Sequence, residues 1–156
     1  MDPDNRRPVD YAQRREMLET LETAKPDELM HAWPDGRIKM FLTQRVLRFR
    51  REHADLFQRG EYLPLRASGI FAECCVGFAR HLAGEWIAVI APRLSSRVGF
   101  PPMGELWKDT IIELPEILSL AQAHDLFTCQ TLPVRDREVK VADALSILPF
   151  VVITNL

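Results

Sequence analysis

The sequence predicts an α+β fold, in which a helical segment precedes an all-β antiparallel sandwich of about seven strands. Apolar residues recur every three or four positions across residues 37–57, which is the spacing of one face of a helix. After Gly60 the pattern changes to short apolar runs bounded by glycine, proline or serine, which is typical of strands joined by turns. Strands that follow a run of helices favour a segregated α+β architecture.

The first helix is predicted to begin at Tyr11, because Asp10 can cap it and Gln13 is placed to complete a capping box. Pro26 lies beyond its end, and residues 27–30 suit one further turn. The long helix over residues 37–57 carries Ile38, Phe41, Leu42 and Val46 on one face. Because the sandwich cannot bury all four, we expect an exposed apolar stripe and self-association through helices within residues 10–57.

The strands are predicted from short apolar or alternating runs. They span residues 62–65, 73–79, 86–91, 110–114, 127–131, 138–141 and 150–154. Residues 142–148 suit a short helix, and residues 93–104 suit a loop because they hold paired serines, a glycine and paired prolines.

The composition excludes several classes of protein. The 156 residues suit one domain, or one domain with a helical extension, and the net charge of −2 argues against nucleic acid or an anionic membrane as a partner. The apolar runs are too short to span a bilayer. The four histidines lack ligand spacing, so we expect neither a metal nor another cofactor. Three cysteines and a polar, acidic N-terminus that is no signal peptide favour a cytoplasmic protein.

Two stretches carry a family resemblance. Residues 2–11, DPDNRRPVDY, closely resemble the segment after the last barrel strand in maltooligosyltrehalose synthases. Residues 47–65, with LRFRREH, LF and GEYLPL, resemble the last barrel helix entering the C-terminal sandwich across the alpha-amylase clan, and DGRIK at residues 35–39 narrows this to the synthases. The resemblance covers residues 2–65 well, and beyond them it rests mainly on strand order. It implies that residues 1–58 are a helical remnant of a (β/α)8 barrel and residues 59–156 the C-terminal sandwich.

The resemblance also implies a reaction for the parent enzyme. The reducing-end α-1,4 linkage of a maltooligosaccharide becomes an α,α-1,1 linkage, as in trehalose, by intramolecular transfer of glucose. Retention of configuration requires two carboxyl groups about 5–5.5 Å apart. In this family they lie on earlier barrel strands, so we expect no catalytic residue in this chain, no activity from the chain alone, and the missing barrel domain as its partner.

Candidate binding residues follow from the same resemblance. Asp4, Asn5, Arg6 and Arg7 would lie in a loop at the catalytic face of the barrel, where such side chains bind sugar hydroxyls or orient carboxylates. Lys39 lies in the first turn of the long helix, where the helix dipole disfavours a cation. This unfavourable position suggests that Lys39 serves in substrate binding. The alternative for all five is that they are solvated surface residues.

The three tryptophans could each stack on a sugar. Trp86 opens a buried-looking strand and is expected in the core, whereas Trp107, in a loop, is the candidate carbohydrate contact. Two other interpretations remain open: a stand-alone carbohydrate-binding sandwich, which would need an exposed aromatic row, and an interaction domain unrelated to sugar.

Overall fold

The computed structural model describes residues 9–156. The helices are α1 (Tyr11–Thr20), α2 (Pro26–His31), α3 (Arg37–Glu52), α4 (Ala54–Arg59) and α5 (Val141–Ala144). The strands are β1 (Glu61–Pro64), β2 (Arg66–Ser68), β3 (Cys75–Leu82), β4 (Glu85–Pro92), β5 (Ile111–Glu113), β6 (His124–Asp125), β7 (Val134–Arg135), β8 (Glu138–Lys140) and β9 (Val151–Thr154). The predicted α+β class is confirmed. We call residues 9–59 the helical segment and residues 61–156 the two-sheet region.

The strands form two antiparallel sheets, ordered β1-β3-β4-β9-β6 and β2-β5-β8-β7. Trp86 and Ile90 from the first sheet share a buried cluster with Ile112 and Val139 from the second. Both sheets therefore cover one core, an arrangement compatible with the predicted sandwich. The short strands β2, β6 and β7 were not predicted, and with them the described residues form nine strands instead of the seven that were expected.

The helical segment packs on the other face of the five-stranded sheet. Successive residues of a strand point to opposite faces. On β4, Trp86 therefore lies in the core between the sheets while Ile87 lies in a second cluster with Phe41 and Leu56. The central strand is apolar on both faces for this reason, which explains its continuous apolar run.

Two local predictions were wrong. The long helix does not run unbroken to residue 57, because His53 leaves helical geometry (φ −114°, ψ 44°) and separates α3 from α4. Residues 127–131 do not form a strand. The carboxylate of Asp125 accepts hydrogen bonds from the backbone N–H groups of Phe127 and Thr128, each at 3.2 Å, and turns the chain there.

Two further local predictions, the cap of α1 and a helix after residue 141, agree better with the structure. The Asp10 side chain caps α1 by accepting the backbone N–H of Gln13 at 2.9 Å. The predicted helix over 142–148 is reduced to the four residues of α5. Within residues 9–156, no helix is both long and apolar enough to cross a membrane. The division at residues 58 and 59 stays a prediction.

Candidate functional site

Helix α3 has one buried side and one open side. Phe41 and Phe49 are buried, whereas Leu47 is 58% exposed. The prediction that Ile38, Phe41, Leu42 and Val46 form an exposed stripe was wrong for Phe41, which is buried against Phe127 with ring centroids 6.1 Å apart. Ile38, Leu42 and Val46 are half-buried. The open apolar surface is therefore displaced around the helix toward Leu47.

Two hollows lie on either side of Leu47. One, of about 880 Å³, opens between α1 and α3, and the other, of about 710 Å³, opens between α3 and the outer face of the five-stranded sheet. Thr43 and Leu47 line both. We call the walls of these two hollows the α3 face. Its main apolar residues are Tyr11, Leu18, Met40, Val46, Leu47 and Phe150.

Two exposed ion pairs lie at or near this face. Arg48 of α3 pairs with Glu22, just beyond α1, through two hydrogen bonds, one of which joins Nη1 to Oε2 at 3.1 Å. The bonds from Arg48, with its charge, lower the pKa of Glu22. At the start of α3, the backbone N–H and the Nε of Arg37 each donate to the Asp35 carboxylate at 2.8 Å, which lowers the pKa of Asp35. Both carboxylates are therefore ionised near neutral pH.

Lys39 lies on the rim of the hollow between α1 and α3, and its side chain is exposed. A role for it in substrate binding stays a prediction. The other predicted binding residues lie outside the described part of the chain: Asp4, Asn5, Arg6 and Arg7.

The structure corrects the expectation for Trp107. Its side chain is fully buried, its indole N–H donates to the carbonyl of Pro102 at 2.8 Å, and its ring meets the edge of Phe71. A buried ring offers no surface on which a sugar could stack. Trp86 lies in the core as expected, and its indole N–H donates to the carbonyl of Ser119 at 2.8 Å.

Trp33 is the tryptophan that the fold leaves open. It is 50% exposed, and its ring meets that of Phe100, which is 75% exposed, with centroids 5.7 Å apart and planes at 69°. The two rings border a hollow of about 410 Å³. Trp33 stands directly before the turn-forming residues Pro34–Gly36. This turn context is the sequence signal that could have favoured Trp33 over Trp107 as the exposed tryptophan.

Asp125 is the buried carboxylate among residues 9–156, and it is occupied by the backbone N–H groups of Phe127 and Thr128 and by the Thr128 hydroxyl at 2.7 Å. In the same range, no group of three or more His, Cys, Asp or Glu side chains is arranged to hold a metal ion. Asp125 thus stabilises a turn.

These features define the class of protein: a two-sheet β region, capped by helices that carry an open apolar face. Comparison with known proteins is more specific. Maltooligosyl trehalose synthase from two strains of Mycobacterium tuberculosis is 35% identical to the chain over 116 residues, which cover 74% of the chain and 12% of that protein. No protein-family model matches the chain.

Solved structures agree. A variant of maltooligosyltrehalose synthase from Arthrobacter ramosus superposes with a TM-score of 0.66 and 28% identity, over 99% of this chain and 18% of that one. A second crystal structure of maltooligosyl trehalose synthase gives a TM-score of 0.61 and 27% identity, over 99% and 17%. The chain is therefore a homologue of one part of the maltooligosyl trehalose synthases, and it spans about an eighth of the curated relatives that it matches.

Proposed function

We propose that this chain is the C-terminal part of an enzyme that converts the reducing-end α-1,4 linkage of maltooligosaccharides to an α,α-1,1 linkage in trehalose biosynthesis. In this proposal the chain stabilises the enzyme and contributes no catalytic carboxylate. Residues 1–58 complete the barrel domain and residues 59–156 form the appended sandwich. The observation that carries the proposal is the similarity of nearly the whole chain to less than a fifth of two solved synthases.

The α3 face gives the proposal its physical basis. Leu47 is more than half exposed, and the hollows beside it are lined largely by apolar side chains from α1, α3 and the sheet. Burial of apolar surface stabilises by roughly 25 cal/mol per Å², so an open face of this kind favours a partner. In the proposed parent that partner is the remainder of the barrel.

The chemistry of the parent supports a non-catalytic role for the chain. A retaining glucosyl transfer uses two carboxyl groups about 5–5.5 Å apart. Asp125, the buried carboxylate of the described residues, accepts three hydrogen bonds within its own turn. We propose that the reacting carboxylates belong to another part of the parent, while Lys39 and the loop with Asp4, Asn5, Arg6 and Arg7 assist substrate binding there. The free cysteines Cys74, Cys75 and Cys129 are consistent with a cytoplasmic location.

Fragment complementation tests this proposal. The purified chain is mixed with the M. tuberculosis relative from which the matched segment has been removed, and trehalose-ended product is measured from maltopentaose. We expect product only when both parts are present. Leu47→Glu should lower the rate about tenfold or more, because a charge cannot be buried at an apolar interface without a partner.

Ile117→Glu is the matched control, since Ile117 is 51% exposed and does not line the α3 face. This variant should complement like the unmodified chain. Failure of the two parts to associate, or an equal loss from both substitutions, would contradict the proposed docking.

A further inference from the structure

Three neighbouring hollows share lining residues, and we call them together the groove. The aromatic hollow beside Trp33 and Phe100 shares the walls Ser146 and Ile147 with a central hollow of about 460 Å³. The central hollow shares Arg135 and Asp143 with an end hollow of about 300 Å³. The aromatic and central hollows are each within the range of small-molecule sites, about 300–1,000 Å³. An extended ligand that spans the three hollows would contact all of these walls.

The aromatic end of the groove is suited to a ring with one apolar face. Trp33 and Phe100 come from distant parts of the sequence, yet their rings meet edge to face and remain half and three-quarters exposed. Met30 and Ile147 extend the apolar wall, while Asp27 lines the same hollow. A pyranose ring matches this combination, because its C–H groups pack on aromatic rings and its hydroxyls reach the polar wall.

The rest of the groove is polar and carries both signs of charge. Gln130, Thr131, Arg135 and Asp143 line the central hollow, where Asp125 is already engaged in its turn. The end hollow adds Asp136, Glu138 and Lys140. Carboxylates are at least as numerous as cations along these walls, which disfavours a phosphate-bearing ligand. Mixed donors and acceptors favour a neutral ligand with many hydroxyl groups.

We infer that this groove is a binding site for a linear neutral oligosaccharide, with one sugar packed against Trp33 and Phe100 and the following sugars along Arg135 and Asp143. If the proposed function is right, that ligand is an α-1,4-linked glucan chain. The groove and the α3 face share Phe150, but Trp33, Phe100, Arg135 and Asp143 line neither of the two hollows beside Leu47. Glucan binding and docking to the barrel are therefore independently testable.

Tryptophan fluorescence of the whole chain provides the test. Trp86 and Trp107 are fully buried, so collisional quenching by acrylamide reports on Trp33. Maltoheptaose should protect this fluorescence in a saturable way, with a Kd on the order of 1 mM. Trp33→Phe should abolish the quenchable component, which verifies the assignment of the signal.

Phe100→Ala and Asp143→Asn locate the site. Loss of the Phe100 ring should weaken maltoheptaose binding about tenfold, and loss of the Asp143 charge about threefold, because an aromatic contact and a polar contact are removed. Tyr62→Ala is the control: Tyr62 is also an exposed aromatic residue, 56% exposed and stacked on Phe78 on the β1–β3 pair, but it does not line the groove. It should leave binding unchanged. Urea unfolding checks that each variant folds.

Three outcomes would overturn the inference. They are the absence of saturable protection at about 50 mM maltoheptaose, equal protection by sucrose at the same mass concentration, and equal weakening by Tyr62→Ala and Phe100→Ala. Each differs from failure of the proposed function, which is read from complementation with the truncated relative. A chain that binds maltoheptaose but does not complement would retain this inference while the proposed function fails.

Discussion

The two-sheet region and the helical segment bury their apolar residues to different degrees. The two-sheet region holds both of the largest fully buried side chains, Trp86 and Trp107, and each indole N–H has a partner within that region. In contrast, α1 has no buried residue along its ten positions, and Tyr11 on that helix is 76% exposed. The two-sheet core is thus completed within the chain, whereas the helical segment is only half covered.

The two regions therefore contribute differently to the stability of the chain and to its interaction with a partner. Helices gain most of their stability from packing of an apolar face rather than from propensity. The part of the helical segment that meets Ile87 and Val152 is anchored to the sheet, and the side around Leu47 is available to a partner.

Truncation in the two-sheet core should have the largest effect. Trp86→Ala removes a fully buried ring and its hydrogen bond to Ser119, so we expect a loss of about 3–5 kcal/mol in the free energy of unfolding. Urea denaturation followed by circular dichroism measures it. Trp33→Ala, at the half-exposed site, should change stability by about 0.5 kcal/mol or less. Equal losses of unfolding free energy in the two variants would contradict the proposed difference between the two regions.

Alkaline pH should weaken the two-sheet region through Cys75. Burial raises the pKa of this thiol from 9.0 to about 11. The unfolded chain releases the proton first, so stability is retained below pH 9 and is lost as the pH rises through 11, by roughly 1–3 kcal/mol. Urea unfolding at pH 8 and pH 11 should show this loss, and Cys75→Ala should reduce the difference. An unchanged pH dependence in that variant would contradict the assignment.

Self-association should depend on the helical segment. The α3 face lacks its proposed partner when the chain is alone, so we predict that the chain associates through it. Leu47→Glu should raise the dissociation constant about tenfold or more, equivalent to about 1.4 kcal/mol, while Ile117→Glu should not. Sedimentation equilibrium measures both. A chain that remains monomeric at millimolar concentration would contradict this prediction.

Acid should have the smallest effect, and it should appear in the helical segment. The pKa of Glu22 is lowered by Arg48, so the ion pair contributes above the ordinary pKa of 4.5 and is lost as the pH falls through the lowered value. Because the pair is exposed, the change in stability should be small. Amide protection factors in α1, corrected for the intrinsic exchange rate at pH 7 and pH 3, detect it, and Glu22→Gln should reduce the difference.

The sequence predicted the features that depend on local patterns. The period of α3, the Asp10 cap and the core position of Trp86 all follow from spacing or local chemistry. The turn at Asp125 was missed because the run from Phe127 resembles a strand until its backbone N–H groups are seen bound to that carboxylate. A side chain can divert a short apolar run in a way that periodicity does not reveal.

The site was harder to predict than the fold. Trp107 lies in a loop, yet the neighbouring Phe71 and Pro102 enclose it, while Trp33 is opened by its place before α3. Exposure of a single ring depends on contacts between distant segments, such as that of Trp33 with Phe100. Such contacts between distant segments cannot be predicted from local sequence patterns.

The most direct test of the account is the activity of the purified chain itself. If the two reacting carboxyl groups of the retaining transfer belong to another part of the parent, as proposed, the chain alone should give no trehalose-ended product from maltopentaose. Chromatography of the products after prolonged incubation measures this. Turnover above the buffer control, lost on substitution of a residue in this chain, would contradict the account.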